Sequence, residues 1–278
     1  MAQCGDIRIG ISGWRYAPWR GVFYPKGLRQ ADELVYAASR VTSLEVNGSF
    51  YSLQRPSNWE RWRDLTPPGF RFAVKGPRFI THIKRLGDID APLANFLASG
   101  VLALGPKLGP MLWQFPPNLH YDEALLERFL ARLPRSTGAA LELARGRDAR
   151  MEGRELLRIH ADVPIRHAIE PRSHSFSSPE FVAQCREAGV AIVLGDNAGR
   201  WPMFDVATTD VAYARLHGDV ELYTSGYDTP AIEKWAAWVR AHLEAGRETY
   251  VYFDNDAKVR APVDAIALIE ALRSAQPS

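Results

Sequence analysis

Short apolar runs alternate with longer amphipathic segments along almost the whole chain. Eight of these runs are rich in β-branched, aromatic or aliphatic residues and have the length of buried strands. The eight predicted strands are 7–12, 43–47, 70–75, 111–115, 166–170, 190–196, 211–217 and 249–254. Strands that alternate with helices pair in parallel through helical crossovers, so the pattern predicts an α/β fold.

Helices are predicted between the strands from helical spacing and from residue types that begin helices. Ser177 and Glu180 have the spacing of a capping box, and Thr229 places a cap before Pro230 at the first helical position. Further helices are predicted at 121–133, 231–243 and 263–272.

The region between the fourth and fifth strands is longer than one crossover helix needs. Its Ala, Leu, Glu and Arg content favours helix over strand at 137–147 and at 152–160. We therefore predict a helical insertion over about 134–164.

Eight strand–helix units in one chain suggest a closed (β/α)8 barrel, so we predict a single domain of the TIM-barrel type over 1–278. The same alternation also permits an open doubly wound sheet. That alternative lacks its glycine-rich fingerprint here, because the first strand is followed by Gly13 and Trp14 and not by a clean helix start.

Composition and charge exclude several classes of protein and leave the predicted fold unchanged. The net charge of +2 gives no overall basic field that would demand nucleic acid or an anionic membrane. No apolar run approaches the roughly 18 residues of a membrane span, and the first residues lack the pattern of a signal peptide. Cys4 and Cys185 lie in no pairing or zinc motif. We expect a cytoplasmic protein without a membrane partner.

Ionisable or amide side chains stand at the carboxyl ends of nearly all the predicted strands. They are Glu45, Asn47, Lys75, Gln114, Glu170, Asp196, Arg215, His217 and Asp254. Side chains two apart on a strand share a face, as Tyr213, Arg215 and His217 do. Catalytic groups of a TIM-type barrel normally lie at the carboxyl ends of its strands, so we expect these residues to meet at one mouth. Any single one of them could instead be a solvated residue or a structural ion pair.

At these residues the sequence resembles the YecE-like family, called domain of unknown function 72. The matching stretches are 10–24 with Pro25, 45–51, 70–82, 112–117, 166–172, 213–218 and 251–256. The resemblance implies a barrel of the triosephosphate isomerase type, and it brings no established reaction. Two positions depart from the family pattern, which usually has His at Ser173 and Asn at Asp254.

The first hypothesis is a metal-independent enzyme that performs acid/base chemistry on a small anionic or polyhydroxylated substrate. Glu45 and Glu170 would be the acid and base, and His217 would carry a proton. Lys75, Arg172 and Arg215 would hold an anionic group, with Lys75 also a catalytic candidate. The predicted substrate-binding residues are Trp14, Asn47, Gln114, Arg172, Asp196, Arg215, Asn255 and Asp256.

The second hypothesis is a metal-dependent phosphoester hydrolase or isomerase, by analogy with abasic-site endonuclease and sugar isomerase barrels. Its Mg²⁺, Mn²⁺ or Zn²⁺ ligands would be Glu45, Glu170, Asp196, His217 and Asp254 or Asp256. Several cations among the same strand ends would repel the metal, so we prefer a site without metal or cofactor.

The third hypothesis is a barrel that binds single-stranded nucleic acid without catalysis, through exposed aromatic side chains and arginines. Five arginines between 145 and 158 make the predicted insertion locally basic. Acidic residues are interleaved with them, so a solvated helical face explains the pattern more simply. Of the three partner classes, a small-molecule substrate is the one we expect.

Overall fold

The structure is a computed structural model, and it describes residues 5–274. Cys4 and the first residues of the chain, on which two of the expectations above rest, lie outside the described residues. The strands are β1 Ile7–Ser12, β2 Ser43–Val46, β3 Arg71–Lys75, β4 Leu108–Gln114, β5 His167–Glu170, β6 Ala191–Ile192, β7 Leu194–Asp196, β8 Val211–Leu216 and β9 Glu248–Phe253.

Helices separate most of these strands, as the hydrophobic pattern predicts. They are α1 Glu33–Arg40, α2 Gly48–Tyr51, α3 Pro56–Leu65, α4 Asp90–Ala98, α5 Glu123–Arg132, α6 Thr137–Arg145, α7 Pro179–Glu187, α8 Thr229–Glu244 and α9 Arg260–Ser274. Short 3-10 segments occur elsewhere, including one over Val101–Lys107, and a short π-helix covers Phe79–Ile83. The chain divides into two compact units, a first unit of Met1–Glu45 with Ile192–Ser278 and a second unit of Val46–Ala191.

The first unit contains five adjacent strands in the order β2-β1-β9-β8-β7, and every pair among them is parallel. Ser12 pairs with Glu45, and Leu216 pairs with both Phe253 and Asp196. The carboxyl ends of the five strands therefore lie side by side. Helix α9 packs on β1 and β9, and α8 packs on α9 and β9.

The second unit contains β3, β4 and β5 in parallel order. Its core is built around Trp113 on β4, whose ring packs edge-on against Phe96 and Phe129. Burial of such large rings supplies the main apolar contribution to packing in a core of this type.

His167 on β5 is a buried polar residue in this core, and the structure satisfies both of its ring nitrogens. Nδ1 accepts a hydrogen bond from the Trp113 indole at 3.1 Å, so Nε2 carries the proton and donates to the Pro134 carbonyl at 2.8 Å. Burial lowers the pKa of His167 to about 4, which keeps the imidazole neutral at neutral pH.

Helix α6 begins where the sequence predicts, because the Ser136 hydroxyl accepts a hydrogen bond from the Ala139 amide and caps its first turn. The prediction of helix at 152–160 is wrong. Residues 152–160 do not form a helix, because they contact parts of the chain that are distant in sequence. The Leu156 amide donates a hydrogen bond to the Ala98 carbonyl, and Arg158 forms an ion pair with Glu60. Whether the region is an insertion stays a prediction.

Three smaller differences concern element ends. The predicted sixth strand is interrupted at Val193 and forms β6 and β7. The cap of α7 is Ser178, one residue after the predicted Ser177, and the cap of α8 is Asp228, one residue before the predicted Thr229. Each side chain accepts a hydrogen bond from an amide three residues later. Neighbouring Ser, Thr and Asp residues can cap equally well, so sequence alone does not choose between adjacent candidates.

Gly76, directly after β3, provides a test of core packing in the second unit. A Cβ atom at this position would lie 2.4 Å from the Trp113 ring, so Gly76→Ala forces this buried indole to shift. We expect a loss of about 1–3 kcal/mol in the free energy of unfolding, measured by urea denaturation.

Gly48→Ala is the matched control, because Gly48 is exposed at the start of α2 and its added Cβ would meet only the flexible Gln54 side chain. This control should be neutral or slightly stabilising. Equal midpoints for the two variants would contradict the packing argument.

Candidate functional site

A network of hydrogen bonds joins the carboxyl ends of β1, β2 and β8 in the first unit. Glu45 lies at its centre. Oε1 accepts hydrogen bonds from the Ser12 hydroxyl and from Arg215 Nη2, both at 2.8 Å. Oε2 accepts from the Tyr213 hydroxyl at 2.6 Å and from Arg215 Nε at 3.1 Å. The predicted clustering of Glu45 with Arg215 is therefore present within this unit.

A carboxylate offers about four lone-pair sites to hydrogen-bond donors, so these four hydrogen bonds fill them. Both Glu45 and Arg215 have fully buried side chains, so each balances the charge of the other in a place that water does not reach. The geometry suits Glu45 to hold neighbouring groups in place. It also leaves Arg215 turned toward the network and away from solvent.

Asp254, which directly follows β9, extends the network toward solvent. Its Oδ2 lies 2.9 Å from Arg215 Nη2 and 3.0 Å from His217 Nδ1. The Asp254 side chain is 14% exposed, whereas those of Arg215 and His217 are not exposed at all. The rings of Trp201 and Tyr223 pack edge-on against the His217 imidazole. Asp254 is thus the member of this group that an outside molecule can reach.

Asp256 lies two residues further on, in a different environment. Burial raises the pKa of its carboxyl, the charge of Asp254 raises it further, and contact with the Tyr16 hydroxyl lowers it in part. Tyr16 donates its own hydrogen bond to the Ser12 carbonyl at 2.6 Å. Burial and the charges of Asp254 and Asp256 raise the pKa of Tyr16 far above its usual range, so the phenol keeps its proton.

A second cluster lies in the second unit, at the ends of β4 and β5. Gln114 Nε2 donates to Glu170 Oε2 at 2.5 Å, and Arg172 Nη2 lies 3.4 Å from Glu170 Oε1. The Arg172 side chain is mostly buried, and Glu170 is 3% exposed. Three residues predicted for the site are therefore brought together here.

Lys75 at the end of β3 belongs to the same electrostatic neighbourhood. Its ammonium lies 4.2 Å from the centre of the Phe50 ring, which in turn packs edge-on against His82. Burial, followed by the charges of Lys75, Arg78 and Arg172, lowers the pKa of His82 to about 4. The imidazole is therefore neutral at neutral pH, and the three cations outweigh the opposing charge of Glu170.

The remaining predicted residues lie outside these two hydrogen-bonded groups. Asp196 at the end of β7 contacts the Tyr227 hydroxyl, and burial raises its pKa. Asn255 is buried and donates to Asp264 and to the Ser225 carbonyl. The Trp14 carbonyl accepts from Tyr24. Asn47 immediately precedes α2.

Sequence reasoning did not place Ser12, Tyr16, Tyr213 or His82 among the site residues. For Tyr213 a signal was present, because it shares the strand face of Arg215 and His217. No comparable signal marks Tyr16 or His82, which lie after strand ends, in loop or short helical structure. Asp254, directly after β9, is one of the two carboxylates that bind Arg215.

Metal ligation and membrane spanning each require a particular grouping of residues. Within residues 5–274, no three or more His, Cys, Asp or Glu side chains are grouped so that they could hold a metal ion. None of the helices in that range combines the length and the apolar character needed to cross a membrane.

Comparison with known families decides where the chain belongs. The sequence model of the family described as "Protein of unknown function DUF72" matches residues 8–278. The chain belongs to the DUF72 family. The resemblance inferred from the strand-end motifs is therefore confirmed.

Two curated relatives share sequence with part of the chain. UPF0759 protein YecE of Escherichia coli K12 is 30% identical over 129 residues, which is 46% of this chain and 44% of the relative. UPF0759 protein YunF of Bacillus subtilis is 35% identical over 118 residues, which is 40% of each chain. The matched region spans less than half the length of these relatives.

Solved structures of DUF72 proteins show the fold. The protein from Thermotoga maritima has a TM-score of 0.74 and 24% identity, with 96% of this chain and 99% of that one covered. A protein from Enterococcus faecalis has a TM-score of 0.70 and 17% identity, with 98% and 97% covered. The predicted α/β fold of the TIM-barrel type is confirmed by this likeness.

Arg215→Met tests whether the buried ion pair supports the first unit of this DUF72 chain. The substitution leaves the Glu45 carboxylate buried without a counter-charge, and we expect a loss of about 3–5 kcal/mol in unfolding free energy by urea denaturation. Arg29→Met is the matched control, because Arg29 forms an exposed pair with Asp32. The idea fails if both variants unfold at the same urea concentration.

Lys75→Met tests the electrostatics of the second cluster. Removal of this charge should raise the pKa of His82 from about 4 toward its ordinary 6.5, with burial and the charges of Arg78 and Arg172 accounting for the remaining difference. The measurement is an NMR titration of the His82 ring protons. Arg128→Met, an exposed change on α5, should leave the His82 titration in place. An unchanged His82 pKa in Lys75→Met would contradict the described arrangement.

Proposed function

We propose that the first unit carries a proton-transfer site in which Asp256 is the acid and Asp254 the base. The observation that carries the proposal is the contrast between two carboxyl groups only two residues apart. One is paired with a guanidinium and an imidazole, and the other is half-buried and disfavoured as an anion. Carboxyl groups held in different environments can donate and accept protons in one reaction.

The acid role goes to Asp256 because its pKa is raised by burial and by Asp254. More of it carries a proton near neutral pH than an ordinary aspartate would, which is the state a general acid needs. The Tyr16 hydroxyl donates its hydrogen bond to the Ser12 carbonyl, and its contact with Asp256 offsets the raised pKa of that carboxyl only in part.

The base role goes to Asp254 because it is partly exposed and held by Arg215. Sequence reasoning gave the acid and base roles to Glu45 and Glu170. We assign Glu45 to positioning instead, since its oxygens already accept four hydrogen bonds. His217, which has no exposed side-chain surface, positions Asp254. Catalytic roles for Glu170 and Lys75 stay predictions.

The proposed substrate is a neutral, hydroxyl-rich molecule such as a sugar. The half-buried groups in this part of the unit are carboxyls and aromatic rings, namely Asp254, Asp256, Tyr16, Trp201 and Tyr223. Arg215 is already engaged by two carboxylates. Carboxylates accept hydrogen bonds from hydroxyl groups and repel anions, which selects the polyhydroxylated class over the anionic one.

The test is a thermal-shift panel that compares neutral monosaccharides and methyl glycosides with sugar phosphates, oligonucleotides and divalent metals. A ligand of the folded state raises the melting temperature. We expect the neutral sugars to do so, and ¹H NMR in D₂O should then show hydrolysis or loss of an exchanging C–H signal for the same compounds. Stabilisation by sugar phosphates, oligonucleotides or metals alone would overturn this substrate class.

Asp256→Asn tests the acid directly. With the sugar found in the panel, the NMR rate should fall by about 10²–10⁴-fold, the typical contribution of a general acid. In the native protein the rate should decline as pH rises through the raised pKa of Asp256, because the protonated form is then lost. Glu244→Gln, an exposed change at the end of α8, should leave rate and pH profile unaltered.

The same variant has a predicted stability signature. A raised pKa in the folded state means that the protonated carboxyl stabilises the native protein fully below its unfolded pKa, and that this contribution disappears as pH rises through the folded pKa. Asparagine does not titrate. Asp256→Asn should therefore melt at a higher temperature than native protein above that window, with the difference vanishing in acid. A lower melting temperature throughout would indicate a structural role for Asp256.

A further inference from the structure

A cavity of about 330 Å³ opens in the second unit. Its walls include three aromatic and three basic side chains: Phe50, Tyr51, Phe79, Arg78, Arg150 and Arg154. The volume lies at the lower end of the range for small-molecule sites. The cavity lies wholly within one compact unit, so its shape depends on that unit alone.

Exposed aromatic surface is concentrated at this cavity. Among the Phe, Tyr and Trp residues of 5–274, only Tyr51 and Phe79 are classed as exposed, at 72% and 40%. Both line the cavity. Elsewhere in the described chain the large rings are at least partly covered, so two uncovered rings on one concavity are a specific feature of this place.

The two rings are attached to supported backbone. Tyr51 ends α2 and packs edge-on against the buried Phe50, with ring centres 5.1 Å apart. Phe79 begins the π-helix Phe79–Ile83, a geometry that is often found at functional sites. Rings held in this way can stack on a ligand at a low cost in conformational entropy.

The charge on the cavity wall has one sign. Arg78, Arg150 and Arg154 line it, and no Asp or Glu is among the lining residues. Arg150 is balanced by Asp148, to which it pairs at 2.6 Å. Within the described part of the chain, Arg78 and Arg154 have no carboxylate at ion-pair distance. The wall therefore presents two uncompensated guanidinium groups beside two exposed rings.

We propose that this cavity binds a small planar aromatic anion, with its ring on Tyr51 and Phe79 and its acidic group on Arg78 and Arg154. Arginine forms paired hydrogen bonds with carboxylate, sulfonate or phosphate oxygens, and aromatic side chains stack on flat rings. A site for simple anions needs no exposed rings, and a site for apolar molecules needs no pair of arginines. Neither kind of ligand alone therefore explains why the cavity wall carries both features.

This site goes beyond the proton-transfer proposal and is independent of it. Asp254 and Asp256 belong to the first unit, and every residue named here belongs to the second. Failure of the sugar panel would leave the aromatic-anion proposal standing, and the reverse also holds.

The experiment uses the full chain and the fluorescent aromatic anion 1-anilinonaphthalene-8-sulfonate as probe. We expect saturable binding that adenosine 5′-monophosphate displaces and that inorganic phosphate or adenosine alone displaces poorly. Tyr51→Ala and Arg154→Gln should each weaken probe binding by about fivefold or more, from the loss of a stacking or a charged contact worth about 1 kcal/mol or more. Both side chains are exposed, so the melting temperature should change little.

Matched controls are Val220→Ala, which removes an exposed apolar side chain of the first unit, and Arg128→Gln, which removes an exposed charge on α5. Neither should change probe affinity. Should Tyr51→Ala or Arg154→Gln prove unstable, Phe79→Ala and Arg78→Gln test the same ring and charge contacts.

Three results would overturn the proposal. The first is equal probe affinity in native protein and in the ring and arginine variants. The second is equally tight binding of the uncharged probe N-phenyl-1-naphthylamine with no effect of Arg154→Gln, which would show an apolar surface only. The third is displacement of the probe by inorganic phosphate as efficiently as by adenosine 5′-monophosphate, which would show an anion site without aromatic recognition.

Discussion

A carboxylate that is taken out of water has to be neutralised and hydrogen-bonded, and Glu45 imposes this requirement on the first unit. Ser12, Tyr213 and Arg215 meet it from two other strands. The network is possible only if β1, β2 and β8 end at matching levels, which the parallel register provides. Correct positioning of Asp254 follows, because Arg215 holds both carboxylates at once.

The architecture was predictable because it depends on local patterns. Seven of the eight predicted strands lie within three residues of the observed ends, since short β-branched and aromatic runs between amphipathic helices have few other solutions. The stretch 152–160 was not predictable from its composition. Its path is determined by contacts with Ala98 and Glu60, which are far away in the sequence and leave no mark on the local pattern.

The site was predictable in its location and less so in its roles. Polar residues at strand ends indicated Glu45, Arg215 and His217, and the structure joins them through Asp254. The hydrogen bond from Tyr213 to Glu45 spans 168 positions of sequence. The role of a carboxylate depends on such partners and on its burial. Glu45 suggested acid/base chemistry in the sequence, but in the structure both of its oxygens already accept hydrogen bonds. The contrast between Asp254 and Asp256 likewise becomes visible only with their surroundings.

The two neutral histidines of the second unit have a consequence for how its cationic cluster responds to acidity. His82 and His167 both hold pKa values of about 4, so neither gains a proton across the range in which an ordinary histidine titrates. His82 therefore adds no positive charge beside Lys75 and Arg172 in that range. Many proteins use an imidazole as a sensor of acidity there, whereas this one stays neutral. Capture of an anionic ligand beside Lys75 and Arg172 is therefore not switched by protonation of their neighbour His82 as the pH falls through that range.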